Sequence, residues 1–569
     1  MDELKQRIFI TGDKLLTAIE SQTTKESVKF QRRDFVAPLV KFCMNNDYSA
    51  KVGIIYGLRS TGKTVGMLQA ADELLSAGHK AAYVRFNYRQ SGIGDVNNEI
   101  QRLAGEGFTH FFIDEAPYLN GFLTDSAEWA DTLTPVNRIK IIISGTDSFE
   151  LWLAMNRSLY HRYVRFSANR NSYPEFKRVL GQSYDEYKSA GGIFLPIGET
   201  NPDELWPSPE TQGESAVENF IQAAVVENLV HTLEHCNEGQ GSKNYYYDWL
   251  YAIDKLVIFK GVISILESTA AAPVRKNFIQ DADKKNIPSL GTAVSKWPDP
   301  EKREIKERIA ESLSVYQEFK KIDEPGGTID ALVEFLIKIG CLAESYTGVS
   351  DLVERKRTLY FTHNALMNYA VQETVQGVLT LTGIDSNEFV DALKQAAEGS
   401  INENVVYAHL LFSIRGNERL FRYRDPDDRE IDAVIIDREK KTLKLIEVKS
   451  KAQLNDSNVF KGEAKNLFNA AVLKNIGVDD SFAIKRVVVY RGETRVVNSH
   501  AGALILANIE DLLVNYANLE NYLDSIGANP NERPKAFAEQ LRKDAARLKR
   551  DYVPQKNNAG RKKRCSIDD

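Results

Sequence analysis

Apolar and polar positions follow two patterns in this chain, with a less regular stretch between them. From residue 51 to about 170, short β-branched and aromatic runs at 52–56, 81–87, 109–114 and 140–144 read as strands, with helical stretches between the first three. After the first run, Met67, Leu68, Ala71, Leu74 and Leu75 recur at helical spacing, and Gly78 ends the helix. Alternation of this kind predicts a parallel sheet covered on both faces. From residue 385 a helix at 401–414 precedes three strand-like runs in a meander, 420–424, 429–436 and 442–450. Strands at 486–490 and 503–506 and a helix at 509–518 complete an αβββαββ order. Between the two patterns lie a Pro- and Ser-containing loop at 201–215 and helical stretches at 217–235, 245–267 and 300–319. An amphipathic helix at 328–339 follows, then runs at 342–346 and 357–361 that sketch a helix with a two-stranded wing.

The 569 residues suffice for several domains at about 150 residues each. Boundaries read from pattern and composition are a helical lead-in at 1–50, an α/β unit at 51–200, a helical region at 201–300, a winged-helix-like unit at 301–384, a second α/β unit at 385–525 and a basic tail at 526–569. Cys43, Cys236, Cys341 and Cys565 have no C-x-x-C spacing, which argues against a disulfide framework or cysteine zinc site. No run of eighteen apolar residues and no signal-like N-terminus occurs, so the expectation is a cytoplasmic protein without a membrane partner. The net charge of −6 does not itself point to nucleic acid, but Arg561, Lys562, Lys563 and Arg564 end a strongly basic segment fit either to meet phosphates or to be a solvated tail. His231, His235 and Cys236 lack the fourth ligand that a zinc site needs.

Gly57, Leu58, Arg59, Ser60, Thr61, Gly62, Lys63 and Thr64 spell G-x-x-x-x-G-K-T between a strand and a helix. This is the phosphate-binding Walker A loop. Its glycines let the backbone approach phosphate, the helix start faces anions, Lys63 meets the β- and γ-phosphates, and the Thr64 hydroxyl suits Mg²⁺. The strand at 109–114 ends in Asp114 and Glu115, a Walker B pattern: Asp114 to hold Mg²⁺, Glu115 to orient and polarise the attacking water. ATP and Mg²⁺ are the cofactors this pairing predicts. Ser144 and Thr146, at the end of the next strand, either sense the γ-phosphate or belong to a turn in which Asp147 caps the following helix. Arg162 offers a guanidinium for developing phosphate charge, within its own subunit or across a homo-oligomer.

The ordered series GLRSTGKT, FFIDEAP, IIISGTDS, SLYHR, YPEFKRVLG and YKSAGG resembles a family of prokaryotic AAA-type P-loop ATPases. The resemblance implies a multidomain α/β protein: an ASCE/AAA-type core, a winged-helix region and a restriction-endonuclease-like domain of the PD-(D/E)XK type. This chain has a longer middle section than that pattern.

The C-terminal pattern carries a second constellation. Period-2 alternation puts Glu430 and Asp432 on one face of a strand, and Glu447 and Lys449 on one face of the next. An acid followed after a turn by acid-x-lysine is the PD-(D/E)XK arrangement, with Asp432 and Glu447 as Mg²⁺ ligands and Lys449 steadying hydroxide or transition-state charge. The bland alternative is a Glu–Lys surface pair on two hairpin faces. Family resemblance adds Glu403, on the preceding helix, to the acidic cluster. Lys461 and Lys465 are placed on a helix after the third strand. The sequence thus predicts an Mg²⁺-dependent ATPase coupled to a domain acting on nucleic acid, DNA favoured. The alternatives are a nucleotide-dependent regulator whose nuclease-like domain only binds DNA or protein, and defence against foreign DNA.

Overall fold

The computed structural model describes residues 8–22, 30–49, 51–87, 92–168, 172–192, 221–227, 229, 259, 261–271, 273–274, 328–353, 356–382, 387–456, 459–462, 464–499, 502–515 and 519–528. Most of the helical stretches expected at 217–235, 245–267 and 300–319, the His231–His235–Cys236 group and the basic segment at 541–564 lie outside them.

The first sheet contains β1 (Val52–Tyr56), β2 (Ala81–Arg85), β3 (His110–Asp114), β4 (Lys140–Ser144) and β5 (Tyr163–Ser167). All pairings are parallel, in the order β2-β3-β4-β1-β5. Its period-2 side chains divide between two cores. Val52, Ile54, Phe111, Ile113, Ile141 and Ile143 enter one. Ile55, Phe112 and Ile142 enter the other. Both faces are buried, which is why these runs read as nearly continuous apolar segments. The edge strand β5, whose pattern is too polar to be legible, pairs with β1 from Val52↔Tyr163 to Tyr56↔Ser167. Helices Gly12–Glu20 and Val36–Met44 of the lead-in pack onto this unit through Leu15, Val36 and Leu39.

The second sheet is mixed. Its strands are β6 (Leu342–Gly348), β7 (Lys356–Phe361), β8 (Arg419–Arg424), β9 (Glu430–Asp437), β10 (Thr442–Val448), β11 (Ala483–Tyr490), β12 (Arg495–Ser499) and β13 (Gly502–Asn508), in the order β12-β13-β11-β10-β9-β8-β6-β7. The expected meander β8-β9-β10 is present, and β11 and β13 follow in parallel to it. The hairpin read as a wing is part of this sheet: β6 pairs with β8 at Thr347↔Arg422 and Gly348↔Tyr423. Strand β12 had no expected counterpart. The helix carrying Glu403 is longer than its period suggested, Asn387–Leu411. Lys461 lies in a turn rather than on a helix, and Lys465 opens a 3₁₀ turn, Lys465–Phe468.

A single apolar cluster runs from Leu58 in the phosphate loop through Phe149, Tyr184 and Phe335 to Val448 in the second sheet. Phe149, on helix Ser148–Asn156, meets Phe335, on helix Thr328–Ile339, edge to face at 5.1 Å. The Tyr56 hydroxyl, at the end of β1, donates to the Lys338 carbonyl of that second helix. Arg491, just after β11, pairs with Asp185 and Glu398, and Lys188 also pairs with Glu398.

Candidate functional site

Strand β1 delivers the chain into the loop 57–62, and helix Lys63–Ser76 leaves it. Gly62 has φ +73°, and a Cβ there would stand 2.2 Å from Arg33 Nη1, so both conformation and space demand glycine. Ser60 is also left-handed, at φ 59°. The Lys63 ammonium is buried and donates to the carbonyls of Gly57 (2.8 Å) and Leu58 (2.7 Å). Burial pulls its pKa down to about 8, against the pull of Glu115 and Asp114. The Ser148 hydroxyl donates to the Gly57 carbonyl at 2.7 Å, tying the loop to helix Ser148–Asn156.

Asp114 is fully buried at the end of β3 and accepts from three hydroxyls: Thr64 at 2.7 Å, Tyr83 at 3.1 Å, and Ser144. Thr64 and Asp114, expected as partners on Mg²⁺, are therefore already adjacent. This hydroxyl–carboxylate pair has the hard oxygen donors that Mg²⁺ takes alongside nucleotide phosphates and water. Glu115 follows in a left-handed conformation, φ 59°, unusual for a non-glycine residue and the kind of strain that functional sites store. Its carboxylate accepts the Thr146 backbone N–H at 2.7 Å and the Thr146 hydroxyl at 2.9 Å. Burial, and then Asp114, raise its pKa, partly offset by Lys63 and Thr146. Asp147 caps helix Ser148–Asn156 by accepting from Glu150 N–H at 2.8 Å, so the cap and the polar strand end coexist.

Arg162 does not join these groups within its own chain. Its carbonyl accepts the N–H of Val52, the first residue of β1, whereas the phosphate loop follows the strand's last residue. The length of β1, roughly 13 Å at ~3.3 Å per residue, separates the two ends. Arg162 pairs there with Asp131 at 2.6 Å.

Two residues at the phosphate loop escaped the sequence reading. Arg33, from the lead-in, is buried; it donates to the Thr61 carbonyl and, through Nε, to Glu175 at 2.6 Å. Tyr83, from β2, supplies the third hydroxyl on Asp114. Neither lies in a motif, and only the tertiary fold brings them in.

In the second sheet, Glu403, Asp432, Glu447 and Lys449 do come together. Lys449 Nζ meets Glu447 at 2.9 Å, and the Val448 N–H donates to Asp432 at 2.9 Å. Burial pushes the Glu447 carboxyl up to about 8, with Asp432 reinforcing and Lys449 opposing. Burial pulls the Lys449 ammonium down, but Glu447 and Asp432 outweigh it and the net direction is upward. Arg422 changes the expected chemistry. Its Nη2 stands 2.9 Å from Glu403 and 3.0 Å from Asp432. Asp432, the expected metal ligand, thus spends one oxygen on a guanidinium and the other on a backbone N–H. Among the described residues no group of three or more Asp, Glu, His or Cys side chains is arranged to hold a metal ion. In this arrangement a guanidinium already offsets two of the carboxylates expected in the acidic cluster.

Among the described residues no helix is long and apolar enough to cross a membrane. No curated protein matches the chain. Two families do match parts of it: residues 49–177 match the AAA domain, and residues 398–500 match a domain of unknown function, DUF4143. The chain thus joins an N-terminal AAA domain of the P-loop ATPase type to a C-terminal DUF4143 domain.

Proposed function

We propose that this protein is an Mg²⁺-dependent ATP hydrolase that governs, through its nucleotide state, a C-terminal domain which binds nucleic acid without cutting it. The hydrolase reading rests on the Thr64–Asp114 contact, with Glu115 next in the chain. Bound Mg²⁺ would neutralise phosphate charge. Lys63 supplies a cation toward the phosphates, and Glu115 orients and polarises water. Lys63→Ala should abolish ATP binding, whereas Glu115→Gln should preserve it and slow hydrolysis by roughly 10²-fold or more. Turnover at the wild-type rate in Glu115→Gln removes that residue from its role.

Binding rather than cleavage is favoured by Arg422, which takes up the carboxylates a catalytic metal would need. Coupling between the halves is supported by the continuous core from Leu58 to Val448. It is also supported by Tyr184, whose hydroxyl donates to Asn402, the neighbour of Glu403, at 2.8 Å. Cleavage remains the second reading because Glu403, Asp432, Glu447 and Lys449 converge. Supercoiled DNA incubated with the protein, Mg²⁺ and ATP separates the two: retarded but intact DNA supports binding, while nicking that Asp432→Ala abolishes supports a nuclease.

A further inference from the structure

Arg422 lies opposite an irregularity in the sheet. Strands β8 and β9 pair at Phe421↔Val434 and again at Tyr423↔Ile431, so one residue of β8, Arg422, opposes two of β9, Asp432 and Ala433. A bulge of this kind re-aims side chains and is common beside functional sites. Phe421 and Tyr423 face the core formed with Leu443 and Leu445. Alternation turns Arg422 to the other face, where helix Asn387–Leu411 presents Glu403. One guanidinium nitrogen there lies between oxygens of two carboxylates from different elements. Arg422 and Glu403 have side chains 13% and 14% exposed, and that of Asp432 is 9% exposed. A guanidinium so placed does what a bridging cation does: it offsets two anions that would otherwise repel each other in a site of low dielectric.

The electrostatic balance of the cluster is consistent with this. Lys449 faces Glu447, and Arg422 faces Glu403 and Asp432, so the cluster carries its own cations beside its carboxylates. Part of the site borders a cleft, which Asp432 does not line. Arg422 and Glu403 line a cleft of about 520 Å³ with Tyr360, Asn404, Arg424 and Glu430.

We propose that Arg422 is a built-in substitute for a divalent cation, and that Glu403 and Asp432 form a latent metal site which opens only when the guanidinium is removed. The proposal concerns cation occupancy, and it stands or falls separately from nucleic-acid binding and ATP hydrolysis.

The test counts Mn²⁺ bound to the full chain without nucleotide, from the paramagnetic signal of the free ion. Wild type and Asp432→Asn should bind equal numbers, any Mn²⁺ at Thr64 and Asp114 being common to both. Arg422→Met, whose side chain is apolar and of similar length, should bind one more per chain, and Arg422→Met/Asp432→Asn should lose it again. Should Arg422→Met fail to fold, Arg422→Gln takes its place in the same count, because its amide can still donate to a carboxylate but carries no charge. An Asp432-dependent Mn²⁺ in wild type overturns the proposal. So does a folded Arg422 variant that gains none.

Discussion

Thr146 donates two hydrogen bonds to one oxygen of Glu115, from its backbone N–H at 2.7 Å and its hydroxyl at 2.9 Å. The loop after β4 thereby holds the residue proposed to polarise water, and it does so through the ionised form. Burial and Asp114 push the Glu115 pKa up, and the Thr146 bonds are what oppose them together with Lys63. Thr146→Val keeps the N–H and removes the hydroxyl, so the pKa should rise further. The acid limb of kcat/KM for ATP should then move to higher pH, with activity at pH 6 falling more than activity at pH 8. A pH profile that drops uniformly, without moving, makes Thr146 a binding residue instead. The alkaline side has its own marker: Lys63, drawn down to about 8, should lose its proton there and weaken kcat/KM.

The position of Arg162 makes a sharper statement than its motif did. It sits at the start of β1, paired with Asp131, a strand's length from the phosphate loop. Any part it takes in hydrolysis must therefore be played on a neighbouring copy. Arg162→Ala should slow turnover with little change in ATP affinity. Mixing it with Glu115→Gln should recover activity, since a mixed interface unites an intact Glu115 with an intact Arg162. Turnover that is unchanged in Arg162→Ala, at protein concentrations where the chain associates, removes the residue from the chemistry.

Arg33 and Glu175 form an ion pair with side chains 2% and 1% exposed. Arg33 also donates to the Thr61 carbonyl of the phosphate loop. Arg33→Met removes one partner of a buried pair and should cost about 3–5 kcal/mol in stability. Burial already raises the Glu175 pKa, and loss of Arg33 raises it further. Glu175 then escapes part of the penalty by taking a proton at low pH, so the loss, followed as Tm, should be larger at pH 8 than at pH 5. An equal loss at both values would assign the effect to the loop contact alone.

What the sequence made legible follows from how locally each feature is encoded. The phosphate loop, Asp114, Glu115 and the cap on helix Ser148–Asn156 depend on neighbouring residues, and all lie where spacing put them. The meander β8-β9-β10 is written in period-2 runs and was equally readable. Strand β5 was not, because at the sheet edge Tyr163, Val164 and Arg165 stay partly or largely exposed and blur the apolar pattern. The β6–β7 hairpin could be seen as a hairpin, but its attachment to β8 is a long-range pairing with no local signature. Arg422 was overlooked for a related reason. Its meaning comes from partners on another strand and on a helix more than ten residues away, Asp432 and Glu403.

Glu447 yields the remaining prediction. Its carboxyl titrates near 8 in the folded chain, far above its ordinary range near 4.5, chiefly because it is buried. A group whose folded pKa is raised binds more protons in the folded state than in the unfolded one. Its contribution is therefore fully present below about 4.5 and is lost progressively as pH rises through about 8. Glu447→Gln resembles the protonated carboxyl in shape and cannot ionise. Lys449 complicates the comparison only by a constant, since its own pKa stays above this window. Against wild type, the variant should gain in relative Tm between pH 5 and pH 8.5, and the difference should level off beyond. Tm differences that are flat with pH would mean that Glu447 ionises normally beside Lys449. The acidic cluster would then carry a full negative charge that Arg422 and Lys449 alone could not balance.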